Sequence, residues 1–68
     1  MEQNIMDTKN AAQYLAISPA MLIKLRFVGG GPTFCKIGRS VRYRKEALDE
    51  WIKRNEIRST SEEAAHAS

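Results

Sequence analysis

The chain has 68 residues, with 11 Lys and Arg against 8 Asp and Glu, a net charge of +3 and a pI near 9.4. That length holds one small hydrophobic core and leaves no room for a second domain. One Cys excludes an internal disulfide, and one Cys with one His does not make a zinc site. No apolar run approaches the roughly 20 residues of a membrane span, and no signal peptide is present, so the expected location is the cytoplasm.

In chain order, residues 1–7 read as a flexible N-terminal arm, with Ile5 and Met6 placed to pack on the domain edge. Thr8 offers a hydroxyl as an N-cap, and Ala11, Ala12, Tyr14 and Leu15 follow at the three- and four-residue spacing of a short helix. Ala16-Ile17 is a tight connection. Ser18 then caps a second helix, and Pro19 takes its first position, where the missing N–H has no cost. Two helices this close in sequence must cross at a large angle, which is the outline of a helix-turn-helix.

The second helix has two faces. Leu22 and Leu25, with Met21, are expected to turn towards the first helix; Ala20, Ile23, Lys24 and Phe27 lie on or near the other side. In a major groove, Lys24 suits guanine O6 or N7 or a phosphate, and Ala20 and Ile23 suit thymine methyls. The competing reading places Ile23 and Phe27 in the core. Gly29 is expected to end the helix in the left-handed conformation, with Pro32 preventing its continuation. The triple glycine lacks the preceding strand and following Lys-Ser/Thr helix of a phosphate loop, so it reads as a hinge.

From Phe34 to Arg44 apolar and basic residues alternate around Gly38, the pattern of a β-hairpin. A three-residue turn, Gly38-Arg39-Ser40, sets Ile37 opposite Val41 and Cys35 opposite Tyr43, and leaves Lys36 facing Arg42. Opposed cations disfavour a free hairpin and make sense with a polyanion between them. Beyond it, Ala47, Leu48, Trp51 and Ile52 mark a third helix closing the core. Glu46, Asp49 and Glu50 early in that helix, and Lys53 and Arg54 near its end, suit the helix dipole better than a catalytic pair. The tail, residues 56–68, is rich in Ala, Ser and Glu and cannot bury enough surface to fold alone; Ser59 with Glu62, and Thr60 with Glu63, resemble capping boxes, and His66 reads as solvated.

Charge is unevenly spread. Between Lys24 and Lys45 stand Lys24, Arg26, Lys36, Arg39, Arg42, Arg44 and Lys45 without a single acid, whereas the tail carries Glu56, Glu62 and Glu63 against Arg58. A basic middle beside an acidic tail points to an anionic partner.

These residues carry a resemblance. Ala11-Ala12-x-Tyr14-Leu15, Ile17-Ser18-Pro19-Ala20-x-Leu22, Arg26, Gly29-x-Gly31-Pro32, Phe34-x-Lys36-x-Gly38-Arg39-x-Val41-Arg42-Tyr43-Arg44 and Leu48-x-x-Trp51-Ile52 together resemble the excisionase-like DNA-binding family. That family is similar to the DNA-binding head of MerR regulators and includes phage excisionases and AlpA-like prophage regulators. The resemblance covers about Thr8 to Asn55.

It implies a mainly α, α+β fold: a winged helix-turn-helix of three helices and a two-stranded hairpin over residues 8–55. The second helix would enter the major groove of double-stranded DNA, and the wing would meet the backbone or minor groove. Ala20, Lys24 and Phe27 fall at base-facing positions and Arg39 at the wing tip. Phe27 stands where a polar or basic residue is common, and small Ala20 limits hydrogen-bonded readout, which shifts weight to wing and phosphate contacts. The candidate DNA-contacting set is Ser18, Pro19, Ala20, Ile23, Lys24 and Phe27 on the helix, Lys36, Arg39, Ser40 and Arg42 on the wing, with Thr8, Arg26 and Arg44 in support.

No catalytic residue, metal or cofactor is expected. The chain reads as a non-enzymatic, bacterial or phage-encoded protein associated with the nucleoid. Its leading role is as a recombination directionality factor that bends attachment-site DNA for an integrase; the alternatives are an AlpA-like transcriptional regulator and a protein-interaction adaptor. The chain lacks the long dimerising helix of MerR regulators, so a monomer assembling head-to-tail on DNA is the expected state. Neutralising about four to six phosphates per copy gives a log–log salt slope of roughly −4 to −5.

Overall fold

The computed structural model describes residues 4–57, which form β1 (Ile5–Met6), α1 (Thr8–Leu15), α2 (Pro19–Val28), β2 (Cys35–Ile37), β3 (Ser40–Arg44) and α3 (Lys45–Arg54). The fold is the expected mainly α, winged helix-turn-helix, with one addition. Ile5 and Met6 pair with Arg44 and Tyr43, so the sheet has three antiparallel strands in the order β1-β3-β2. The capping boxes and His66 of the tail lie outside the described residues.

The cap of α1 is Asp7 rather than Thr8: its carboxylate Oδ1 accepts the Asn10 N–H at 2.8 Å. A carboxylate beside the exposed N–H groups also complements the helix dipole, which a hydroxyl does not. The helix ends at Ala16, a non-glycine residue with φ 59°, whose N–H reaches the Gln13 carbonyl while that of Ile17 reaches the Ala12 carbonyl. These are the two bonds of a Schellman ending, and they turn the chain directly into α2. There Ser18 Oγ accepts the Met21 N–H at 3.1 Å and Pro19 occupies the first turn, as expected.

The core takes residues from every helix and the central strand. Ala11 and Ala12 of α1, Leu22 of α2, Tyr43 of β3 and Leu48 of α3 are fully or almost fully buried, with Met6, Leu15, Ile17 and Val41 packed around them. The small alanines let α1 approach the bulky Tyr43 closely. Ile52, assigned to the core by its spacing, is exposed at the edge of α3. Met21, expected to face α1, is exposed as well. Leu22 and Leu25 already span the face that α2 turns inward, and a residue 100° further round the helix falls outside it.

Two corners complete the frame. Gly29 ends α2 with φ 90° and ψ 169°, a positive φ with an extended ψ in place of the left-handed helical pair. The segment after it is a packed corner, not a free hinge. A Cβ on Gly31 would lie 2.8 Å from Leu25 Cβ, Pro32 is buried, and the Trp51 indole N–H donates to the Gly30 carbonyl at 2.8 Å. Trp51 thus fastens the loop to α3 while its ring lies half-buried. At the other corner, α3 starts without a side-chain cap, and the Lys45 N–H instead donates to the Asn4 carbonyl at 2.7 Å.

Helices α1 and α3 are also joined at the surface. The Tyr14 hydroxyl donates to Asp49 Oδ1, and Lys45 Nζ lies 3.0 Å from Asp49 Oδ2. The Tyr14 hydrogen bond first, and Lys45 second, hold the Asp49 carboxyl below its ordinary range; the same contacts push Tyr14 and Lys45 up. A depressed carboxylate adds stability above its unfolded pKa, near 4, and loses it as pH falls through the lower folded value. Asp49→Asn should therefore lower the thermal midpoint at pH 7, and the gap to the parent should close as pH falls below the ordinary carboxylate range. A gap that persists undiminished in acid would deny the carboxylate this role. The effect should also weaken in salt, because all three groups are solvent-facing.

Candidate nucleic-acid interface

The outer surface of α2 follows from helical spacing. With Leu22, Leu25 and Arg26 turned inward, Ala20, Ile23, Lys24 and Phe27 share the opposite side at i, i+3, i+4 and i+7. All four are exposed. Phe27 is 81% accessible, which settles its two readings in favour of the surface, and Ile23 is 37% accessible. Val28 at 69% and Met21 at 49% extend the apolar area, and a shallow surface groove runs between Ala20, Met21, Lys24, Leu25 and Val28. Neither Met21 nor Val28 stood among the expected contacts. Their exposure depends on where α1 crosses α2, and helical spacing alone does not contain that.

Arg26 has a different position from Lys24. Its guanidinium is half-buried, and Nη1 donates to the Tyr43 hydroxyl at 3.2 Å and to Thr8 Oγ1 at 3.4 Å. The same group lies 5.8 Å from the ring centroids of both Phe27 and Phe34. Phe34 in turn meets Tyr43 at 6.2 Å between centroids. Arg26 thereby joins α2 to the start of α1 and to β3, and it supports Phe27 from behind by a cation–π contact. Thr8 and Arg26, expected as supporting DNA contacts, are brought together here as internal partners.

The wing differs from expectation in its register. Ile37 pairs with Ser40, Lys36 with Val41 and Cys35 with Arg42, so the turn has two residues, Gly38-Arg39. Gly38 has φ 64°, and Arg39 is not among the positive-φ residues, the pattern of a type II′ turn with glycine first. The longer turn rested on giving Ile37 and Val41 one face. In fact Val41 joins Tyr43 and Met6 on the core side, while Ile37, 58% exposed, faces away.

The consequence for charge is direct. Lys36 lies on the side of Val41 and Tyr43, whereas Arg42 lies on the other face with Cys35, Ile37, Ser40 and Arg44. The two cations do not oppose each other. Arg42 is half-buried, with Nη1 donating to the Val41 carbonyl at 2.8 Å. Arg44 is exposed and 4.0 Å from Glu46 Oε1. Arg39 stands exposed at the turn, and Ser40 is half-buried at the start of β3.

The charged side chains that α2 and the wing strands carry are of one sign. Every acid of residues 4–57 lies at the cap of α1 (Asp7), on α3 (Glu46, Asp49, Glu50) or just after it (Glu56), and none lies on α2, β2 or β3. Lys24 on the helix and Lys36, Arg39 and Arg42 on the wing have no ion pair within 4 Å among the described residues. Among those residues there is also no cluster of three or more His, Cys, Asp or Glu that could hold a metal, and no helix long and apolar enough to cross a membrane.

A capped helix-turn-helix with an exposed second helix and an acid-free wing defines a DNA-binding domain. The chain belongs to the family described as a helix-turn-helix domain, which matches residues 5–56 and includes excisionase-like and AlpA-like DNA-binding proteins. No curated protein matches the chain significantly.

Proposed function

We propose that this chain binds double-stranded DNA with sequence selectivity, with α2 in the major groove and the Gly38-Arg39 tip on the adjacent minor groove or backbone, and that it serves as a recombination directionality factor. The observation that carries the DNA reading is the exposure of Ala20, Ile23, Lys24 and Phe27 on one side of α2, beside a wing free of acids. The cations supply sequence-independent attraction to phosphate, and the helix supplies selectivity. The excision role rests on the resemblance of the motifs to excisionases; bending of attachment-site DNA would let a separate integrase assemble for excision. No step of this work requires a catalytic group, metal or cofactor from the chain.

The role is tested in a cell carrying the cognate element. Deleting the gene should lower excision frequency, and footprints should fall as clustered sites in an attachment region. Unchanged excision with altered transcription, and a single footprint over a promoter, would replace this role with that of an AlpA-like regulator. If Lys24→Ala, Arg39→Ala and Arg42→Ala variants all bind DNA as the parent does, an adaptor for an acidic protein becomes the better account.

A further inference from the structure

The outer face of α2 is short of hydrogen-bonding groups. The helix contains two long polar side chains, Lys24 and Arg26, and Arg26 is turned inward onto Tyr43 and Thr8. What remains outward is Ala20, Met21, Ile23, Phe27 and Val28 around a single cation, Lys24. Building on the DNA-binding reading above, we propose that α2 reads its site chiefly through thymine C5-methyl groups, with Lys24 adding one purine acceptor.

The face is apolar, yet α2 and the wing strands carry cations and no carboxylate, which suits a polyanion with apolar groups on its surface. In the major groove the thymine methyl is the apolar group that base edges present; adenine and cytosine offer amino donors, and guanine offers two acceptors. Amino groups pressed against Phe27 and Ile23 would lose water and gain no partner, so the same face that attracts methyls disfavours other edges. Lys24 donates only, and it matches guanine O6 and N7 or adenine N7. Phe27 is the central reader. It is the most exposed large hydrophobic residue among those described, and the Arg26 guanidinium, 5.8 Å from its ring centroid, supports it on the protein side.

Uracil differs from thymine only by this methyl, so one substitution isolates the contact. A duplex of about 20 base pairs, selected by the full chain from a random pool, is compared with the same duplex carrying deoxyuridine for thymidine. At about 0.8 kcal/mol per buried methyl group, each contacted methyl contributes about fourfold, and two contribute more than tenfold. The parent should therefore bind the thymine duplex more than tenfold tighter. Phe27→Ala and Ile23→Ala, checked for folding by circular dichroism, should reduce that ratio. Lys24→Ala should weaken both duplexes and keep the ratio. Equal binding of the two duplexes by the parent would overturn methyl reading, as would a ratio unchanged in both apolar variants. Absence of binding to either duplex would instead remove the DNA-binding reading and this proposal with it.

Discussion

Leu22→Ala is expected to leave the domain largely unfolded or close to it at room temperature. Leu22 is fully buried where α2 meets the Ala11-Ala12 face of α1, the Tyr43 ring and Leu48. Truncating a buried leucine removes its transfer free energy and leaves a cavity, together about 3 to 5 kcal/mol. A folded unit of about fifty residues holds roughly 3 to 8 kcal/mol in total. The core is made of five residues, so neighbours that could collapse into the space are few. Urea unfolding followed by circular dichroism should show a midpoint far below that of the parent, or no transition. Phe27→Ala, a larger truncation on the same helix, should shift the midpoint little because that side chain is already in water. Equal shifts for the two variants would contradict the assignment of the two faces of α2.

The second large effect concerns DNA affinity. Removing Lys24, Lys36 and Arg39 together should lower it by about a thousandfold or more at moderate salt, since each charged contact contributes roughly 1.5 kcal/mol or more. The salt slope should fall by about 0.9 for each phosphate that is no longer neutralised. The hairpin register makes a finer statement about the wing. Lys36 shares the sheet face of Val41 and Tyr43, and Tyr43 is hydrogen-bonded to Arg26 of α2, so Lys36 lies on the side that carries α2. Arg42 is on the opposite face, with its guanidinium already on the Val41 carbonyl. Lys36→Ala should therefore flatten the slope by about one unit and Arg42→Ala by distinctly less. Equal changes would mean that DNA reaches both faces of the hairpin.

The same register explains a weakness of reasoning from strands alone. Alternation in Cys35–Ile37 and Ser40–Arg44 announces two strands, yet a turn of two or of three residues satisfies it, and each choice sends Lys36 to a different face. A preference for apolar residues on one side favours the longer turn only if Ile37 is buried. Ile37 lies beyond the small core and is exposed, so that preference does not apply to it. Gly38 at the first turn position, which type II′ geometry favours, was the better local signal.

Features that depend only on neighbours along the chain are legible in residue order. Ser18-Pro19 starts α2, the spacing of Ala11, Ala12, Leu22 and Leu48 marks the buried face of each helix, and the stretch from Lys24 to Lys45 carries cations without acids. Helix caps, helical period and net charge are local properties, so they are legible in order. Tertiary structure alone decided which of two equivalent cations is available: Lys24 points outward, while Arg26, two residues on, is held by Tyr43, Thr8, Phe27 and Phe34. It also decided that Ile5 and Met6 complete the sheet and that Phe27 stays in water. The hydrogen bonds and strand pairs behind these outcomes join residues 17 or more positions apart, such as Arg26 with Tyr43, and local pattern carries no information about distances of that kind.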